Sequence, residues 1–384
     1  MTSRTRLWVL VVTTPVIAFA LIGGYLGQAM TRDDTIRNLA IFGDVFDLVV
    51  DNYVENVDVQ KAMRGAMRGL ADGLDADTAF LTPDLVRTFD PKQPAAPAEI
   101  GVDVTRQYYL RVISVRDGSP AAKAGLRTGD YIRAIDGRAT RDMSAYEGDR
   151  LLRGAASSKV NLLIIRSNAP AEPHELTLVR ERTTGGDITS RIAAPGTGYI
   201  RVPEFNGTSA QRLKQAIDSL DKAGATRYIV DVRGAARGDL DEGVAAARLF
   251  VKSGTLAVRQ TKAAKEPIAA QAADGGVTAP VVLLVDQGTM GAAEVFAAAL
   301  DGNNRADLVG ERTLGRAARQ QLVKLPDGSG LLLSSMRYLT PASQPIHEKG
   351  LTPDVPVDPP DVEFGADAPT ADTTLEKALE RIAK

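Results

Sequence analysis

Between residues 198 and 300 two patterns alternate. The short apolar runs GYIRV (198–202), YIVDV (228–232) and VVLLV (281–285) are each followed by a segment with helical spacing, near 208–223, 240–251 and 292–300. Strands punctuated by helices in this way predict an α/β layer with parallel pairing. This layer does not account for the whole chain. At 384 residues the sequence is long enough for two or three domains.

Residues 99–182 read as a separate unit of short strands: LRVISV (110–115), YIRAIDG (131–137), VNLLIIR (160–166) and HELTLVR (174–180). SPAAKAGL (119–126) and SAYEGDRLLRG (144–154) between them read as helices. Upstream, apolar residues at three- and four-residue spacing from Thr35 to Tyr53 predict an amphipathic helix, with a second around 59–73. GLDADTAFLTPDL (73–85) predicts a turn and a short helix, and DPKQPAAPAE (90–99) a hinge. The polar, Ala- and Gly-rich stretch 259–279 reads as a surface excursion, and the chain closes with a linker and an amphipathic helix. The expected division is 1–31, 32–90, 99–182, 183–360 and 361–384.

The first of these segments has its own signature. After Arg4 and Arg6 no charged residue occurs from Leu7 to Thr31. As a helix this run spans ~37 Å, enough for a ~30 Å hydrocarbon core. It predicts a membrane anchor through residues 7–30, or a cleavable signal, with a cytoplasmic N-terminus and the bulk of the chain in the periplasm.

Composition removes several chemistries. The chain has no cysteine and only two histidines, His174 and His347, which leaves little material for a Ser-His-Asp triad or a multi-histidine metal site. A net charge of -2 gives no basic footprint for nucleic acid. Asp239, Asp241 and Glu242 are read as stabilising a helix N-terminus rather than binding metal. Gly310 and Gly315 are not followed by the Lys-Ser/Thr of a phosphate loop. No cofactor or metal is expected. His347, beside glutamate and lysine, is read as a solvated loop residue.

EIGVDV (99–104) and GSPAAKAGLRTGDYIRAIDG (118–137) resemble a PDZ domain of the kind found in bacterial periplasmic proteases. The resemblance implies a groove in which backbone N–H groups of a tight turn hold a C-terminal carboxylate. Ile100, Gly101, Val102, Asp103 and Val104 are the candidate peptide-binding residues, and Gly101 permits close backbone approach.

The last 200 residues resemble the C-terminal processing peptidases, or tail-specific proteases. The carrying stretches are GYIRVPEF (198–205), YIVDVR (228–233), LDEGVAAARLF (240–250), VGERTLGR (309–316) and MRYLTPASQPIHEKGLTPDVPV (336–357), with LDADTAF (74–80) upstream. The implied fold is multidomain, α+β and α/β: N-terminal helices, a PDZ-like β domain and a ClpP/crotonase-like α/β peptidase core. The family uses a serine nucleophile in a SASASE turn and a lysine general base in TFGKG. Here those motifs read TMGAAE (289–294) and TLGRA (313–317), so the nucleophile position is Gly291 and the base position Arg316. Glycine offers no nucleophile, and a guanidinium keeps its proton at any pH of interest. The oxyanion loop RNNPGG reads RGAARG (233–238): Arg237 replaces a glycine beside Gly238, and its bulk is expected to disturb or fill the site. Gln320 matches a glutamine of the family's site and is read as a structural hydrogen-bonding residue. Thr289, Lys324, Ser334 and Ser335 are the residues from which a substitute dyad would have to come.

The resemblance therefore implies a non-catalytic homologue. It would bind protein C-termini or extended segments and modulate or scaffold envelope proteolysis, beside an active related peptidase or an adaptor, as an oligomer. The competing expectations are an active serine-type endopeptidase with a non-standard dyad and a purely structural scaffold.

Overall fold

The structure is a computed structural model describing residues 34–89, 96–166, 169–182, 186–360, 362–366 and 371–384. The uncharged run 7–31 lies outside them. No described helix is long and apolar enough to cross a membrane. The chain divides into two compact units, 1–67 and 68–384. In the first, residues 34–52 form helix α1, whose apolar stripe includes the exposed Ile36, Leu39, Phe42 and Val45. Helix α2 (Val59–Asp72) spans the boundary between the units.

The second unit holds three sheets among its described residues. The α/β layer is built on six strands: β8 (Thr189–Ala194), β9 (Thr197–Arg201), β10 (Arg227–Asp231), β13 (Val281–Val285), β14 (Ala306–Gly310) and β17 (Val355–Pro356). Their order is β17-β14-β13-β10-β9-β8. All neighbours are parallel except β8, which runs antiparallel at the edge. A sheet of this kind must be covered on both faces. Alternate residues of one strand therefore go to different cores. Tyr228 and Val230 pack with α6 (Ser209–Lys222), α7 (Leu240–Ala247) and α8 (Ala292–Asp301), while Ile229, Val282, Leu284 and Val309 pack with α9 (Thr373–Ile382) on the other side. Helix α8 is apolar all round and buried from Ala292 to Leu300, as expected of a central core helix.

Residues 259–279 depart from the expected excursion. Strands β11 (Thr255–Thr261) and β12 (Lys265–Ala269) form a hairpin. β11 joins an antiparallel sheet with β16 (Gly330–Leu339), which also carries β1 (Ala79–Leu81) and β15 (Ala318–Lys324). β12 is an exposed edge strand, so its polar sequence resembles a loop. The segment 73–85 likewise contributes β1 before helix α3 (Pro83–Arg87).

The third sheet is the 99–182 unit, with order β2-β3-β4-β6-β7 and the short β5 (Arg138–Ala139) beside β4 (Tyr131–Ile135). β2 (Val102–Gln107) lies at its edge, antiparallel to β3 (Tyr109–Val115); β6 is Lys159–Arg166 and β7 Ala169–Val179. Helices α4 (Pro120–Lys123) and α5 (Ala145–Leu152) complete it around Ile100, Leu110, Ile132, Leu152 and Ile164.

Helices α7 and α8 approach so closely at Gly243 that a Cβ there would overlap the Ala292 carbonyl. We expect Gly243→Ala to displace the start of α8 and lower unfolding free energy by about 1–3 kcal/mol, read by chemical denaturation.

Candidate functional site

Strand β13 ends in the turn Asp286–Met290, and Gly291 begins α8 as its N-cap. Gly291 has φ +61°, a value that side-chain-bearing residues rarely adopt. Space is not what excludes a side chain: a Cβ built at Gly291 meets nothing nearer than Leu240 at 3.8 Å and the Arg316 carbonyl at 3.9 Å. A cavity of about 280 Å³ opens here, lined among others by Asp77, Gly238, Gly291, Arg316, Arg319 and Gln320. The structure thus brings together positions 291, 316 and 320 and one end of the oxyanion loop.

Glu294, which sequence reasoning passed over, organises this place. It is fully buried and accepts the N–H groups of Gly291 (3.1 Å), Gly315 (2.6 Å) and Arg316 (2.7 Å), together with the Thr313 hydroxyl. Burial pushes its carboxyl above the ordinary range, and these donors oppose the shift. A glutamate three residues after a helix N-cap is the recognisable signal of such a role.

The Arg316 side chain turns toward the PDZ-like unit. Its Nη2 donates to Thr105 Oγ1 on β2 (2.5 Å), and its Nε lies 3.4 Å from Asp77 Oδ1. Burial raises the Asp77 carboxyl; Arg316 and then His347 offset part of that rise. His347 is not solvated. It is 5% exposed, with Nε2 3.6 Å from Asp75 Oδ2. Burial alone would raise the Asp75 carboxyl, but the neighbouring His347 and Ser334 side chains and the Thr78 N–H, which donates to Oδ1 at 2.7 Å, outweigh it and hold that group well below the usual range.

Arg237 overturns a second expectation. Its side chain does not line the cavity at Gly291 but points the other way. There Nη1 and Nη2 grip Glu99 at 3.0 and 2.8 Å, and Nε reaches Asp103 at 2.7 Å. Gly238 lines the cavity instead. At the rim, Asp239 caps α7 through the Asp241 N–H and pairs with Arg319. Gln320 faces the cavity from β15.

The alternative nucleophiles are placed as follows. Thr289 is completely buried; its Oγ1 lies 3.0 Å from the Val232 carbonyl, from Asp286 Oδ1 and from the Asp286 N–H. Lys324 is exposed at the end of β15, paired in register with Gly330. Ser334 and Ser335 lie on β16, Ser334 beside Asp75.

The candidate peptide-binding residues sit at the open edge of the PDZ sheet. Ile100 and Gly101 form the turn before β2, and Val102, Asp103 and Val104 begin the strand. Gly101 has φ +84°, and a Cβ there would overlap Ser119 Cβ. Its carbonyl accepts the Arg116 N–H (2.8 Å), and the Ile100 carbonyl accepts that of Ala121 (3.0 Å). Among the described residues, neither the Ile100 nor the Gly101 N–H donates to a protein oxygen. Two adjacent buried amides are therefore left for an incoming acceptor.

We expect Glu294→Gln to leave one of the four donors at this carboxylate facing an amide NH2. That costs about 1–3 kcal/mol of unfolding free energy, measured by chemical denaturation.

Comparison with known proteins agrees with this architecture. The model of Peptidase family S41 matches residues 196–357, and a PDZ domain model matches 111–166. The carboxy-terminal processing protease CtpA of Bacillus subtilis is 31% identical over 94% of this chain and 79% of that protein. The chloroplastic C-terminal processing peptidase of Tetradesmus obliquus is 32% identical over 79% of this chain and 70% of that protein. The solved photosystem II D1 C-terminal processing protease is 29% identical, with a TM-score of 0.69 over 83% of this chain and 92% of its own. With a PDZ domain, an S41 core and relatives of this extent, the chain belongs to the carboxyl-terminal processing peptidase family.

Proposed function

We propose that this chain is a non-catalytic member of its family that binds protein C-termini through its PDZ domain. One observation carries the reading. The cavity that should hold a nucleophile and a base holds a glycine at 291 and, at 316, an arginine engaged with Thr105 and Asp77. Neither can attack a carbonyl or accept a proton from a serine. The bonds of Thr289 speak against its taking over as nucleophile, since its oxygen is already enclosed by backbone and carboxylate partners. The remaining roles are binding ones: holding an exposed C-terminus or an extended segment, and modulating or scaffolding an active relative. The uncharged run 7–31 supports placing this work on the outer side of an inner membrane, with the chain anchored or exported.

The purified full-length chain is expected to leave a denatured protein substrate intact and to take no label from a fluorophosphonate probe. Repeated turnover by material free of other hydrolases overturns the reading. Gly291→Ser alone should remain inert. It fits the available space but adopts a disfavoured φ, at a cost of about 1–3 kcal/mol in stability. Gly291→Ser combined with Arg316→Lys is expected to hydrolyse slowly at most. The neighbouring Asp77 carboxylate favours the charged form of an ammonium at that place, and a protonated amine is no base. Rates near those of active relatives would show that Asp77 does not exert this control.

A further inference from the structure

The loop that offers its amides to a peptide carboxylate is flanked by acids of its own. Glu99 immediately precedes Ile100, and Asp103 follows Val102. Glu99 is buried and Asp103 partly so; Asp149 on α5, more exposed than either, is close enough to raise the Asp103 carboxyl further. A negatively charged ligand end arriving at Ile100 and Gly101 would meet their repulsion in a poorly solvated place, where charge is weakly screened. Among the described residues, three arginines pair with these acids. Arg116 and Arg153 belong to the PDZ unit and pair with Glu99 at 2.5 and 3.1 Å; Arg153 also holds Asp149 at 2.8 Å. The third is Arg237, and it belongs to the peptidase core. Its carbonyl accepts the Phe205 N–H (2.9 Å), which fixes its backbone there, while its guanidinium crosses to Glu99 and Asp103. Burial pushes the Asp103 carboxyl up, and Arg237 is the first group to offset that rise. Without Arg237 the loop keeps an uncompensated negative charge beside the carboxylate-binding amides.

We infer that Arg237 is a positioning residue of the PDZ binding loop: it neutralises Glu99 and Asp103 from across the domain boundary, so a C-terminal carboxylate is accepted only when the PDZ unit is docked on the core. The inference rests on the peptide-binding reading proposed above and adds to it the site's dependence on the core. The residue that departs from the oxyanion glycine thereby serves recognition. Arg316 reaches the same face of β2 two residues on, through Thr105.

The test uses the full-length chain and a pool of fluorescein-labelled octapeptides with apolar C-terminal residues, each made with a free carboxylate and as the C-terminal amide. Fluorescence anisotropy of the unmodified chain should show binding of the acids and at least tenfold weaker binding of the amides. Arg237→Ala should weaken the acids at least tenfold, leave the amides nearly unchanged, and so erase the discrimination. Adding Glu99→Gln to Arg237→Ala removes the excess negative charge and should recover most of the lost acid binding, a rescue that a purely structural role for Arg237 does not give. Glu99→Gln alone, which tests the idea even if Arg237→Ala fails to fold, should tighten the acids and not the amides. If the unmodified chain binds neither form, the peptide-binding reading falls and this inference with it. If it binds acids but Arg237→Ala binds them equally well, or Glu99→Gln affects acids and amides alike, only the inference falls.

Discussion

The geometry of the cleft depends on one buried charge. Glu294 has no contact with water, and an isolated carboxylate in such a place is strongly destabilising. It is tolerated because four donors converge on it from two segments: the start of α8 and the loop 313–316. Thr313 extends the arrangement, since its hydroxyl also accepts the Leu351 N–H at 2.8 Å. The carboxylate therefore fixes the distance between position 291 and position 316 and ties both to the segment that leads into β17. The cavity beside Gly291 is a consequence of this fixed spacing.

On that frame the two arginines at altered positions do related things. Both reach the same strand of the PDZ domain, Arg237 pointing away from the cleft to Asp103 and to Glu99 just before the strand, Arg316 from the lining of the cleft to Thr105. Residues 103 and 105 lie two apart and so share one face of β2. That face is turned to the core, while among the described residues the strand's outer edge carries no partner strand. A strand held along one face keeps its edge in a constant position, which is what recognition of an extended peptide by strand addition requires. The order imposed on this strand comes from the arginines at 237 and 316.

How much of this could be read from the letters follows from sequence distance. The α/β layer was legible because each strand is followed at once by its helix. The parallel pairing that the structure shows between β10 and its neighbours β9 and β13 followed from the apolar runs and the helices after them. The sheet around β16 was not legible, because β1 and β16 meet across some 250 residues and β12, the outer strand of the β11–β12 hairpin, is exposed along most of its length. The same reason hid the directions of side chains. Arg237 stood out as a lost glycine, but its acids lie 134 and 138 positions earlier, so whether it blocked the cleft or left it could not be decided locally. His347 looked solvated beside Glu348 and Lys349, while its partner Asp75 is supplied by a segment before the PDZ domain.

The cleft keeps its frame with glycine at 291 and arginine at 316, and the cause lies in the donors Glu294 uses. Three of the four are backbone N–H groups, of residues 291, 315 and 316. A backbone amide is the same whether it belongs to serine or glycine, lysine or arginine. Replacing the two reactive side chains therefore leaves the main network of the site intact, and at 291 it removes the disfavoured φ that a serine would have to adopt. Substitution at these positions is cheap for the fold. It also leaves position 316 free to carry a longer, permanently charged side chain to a new partner, the edge strand of the PDZ domain.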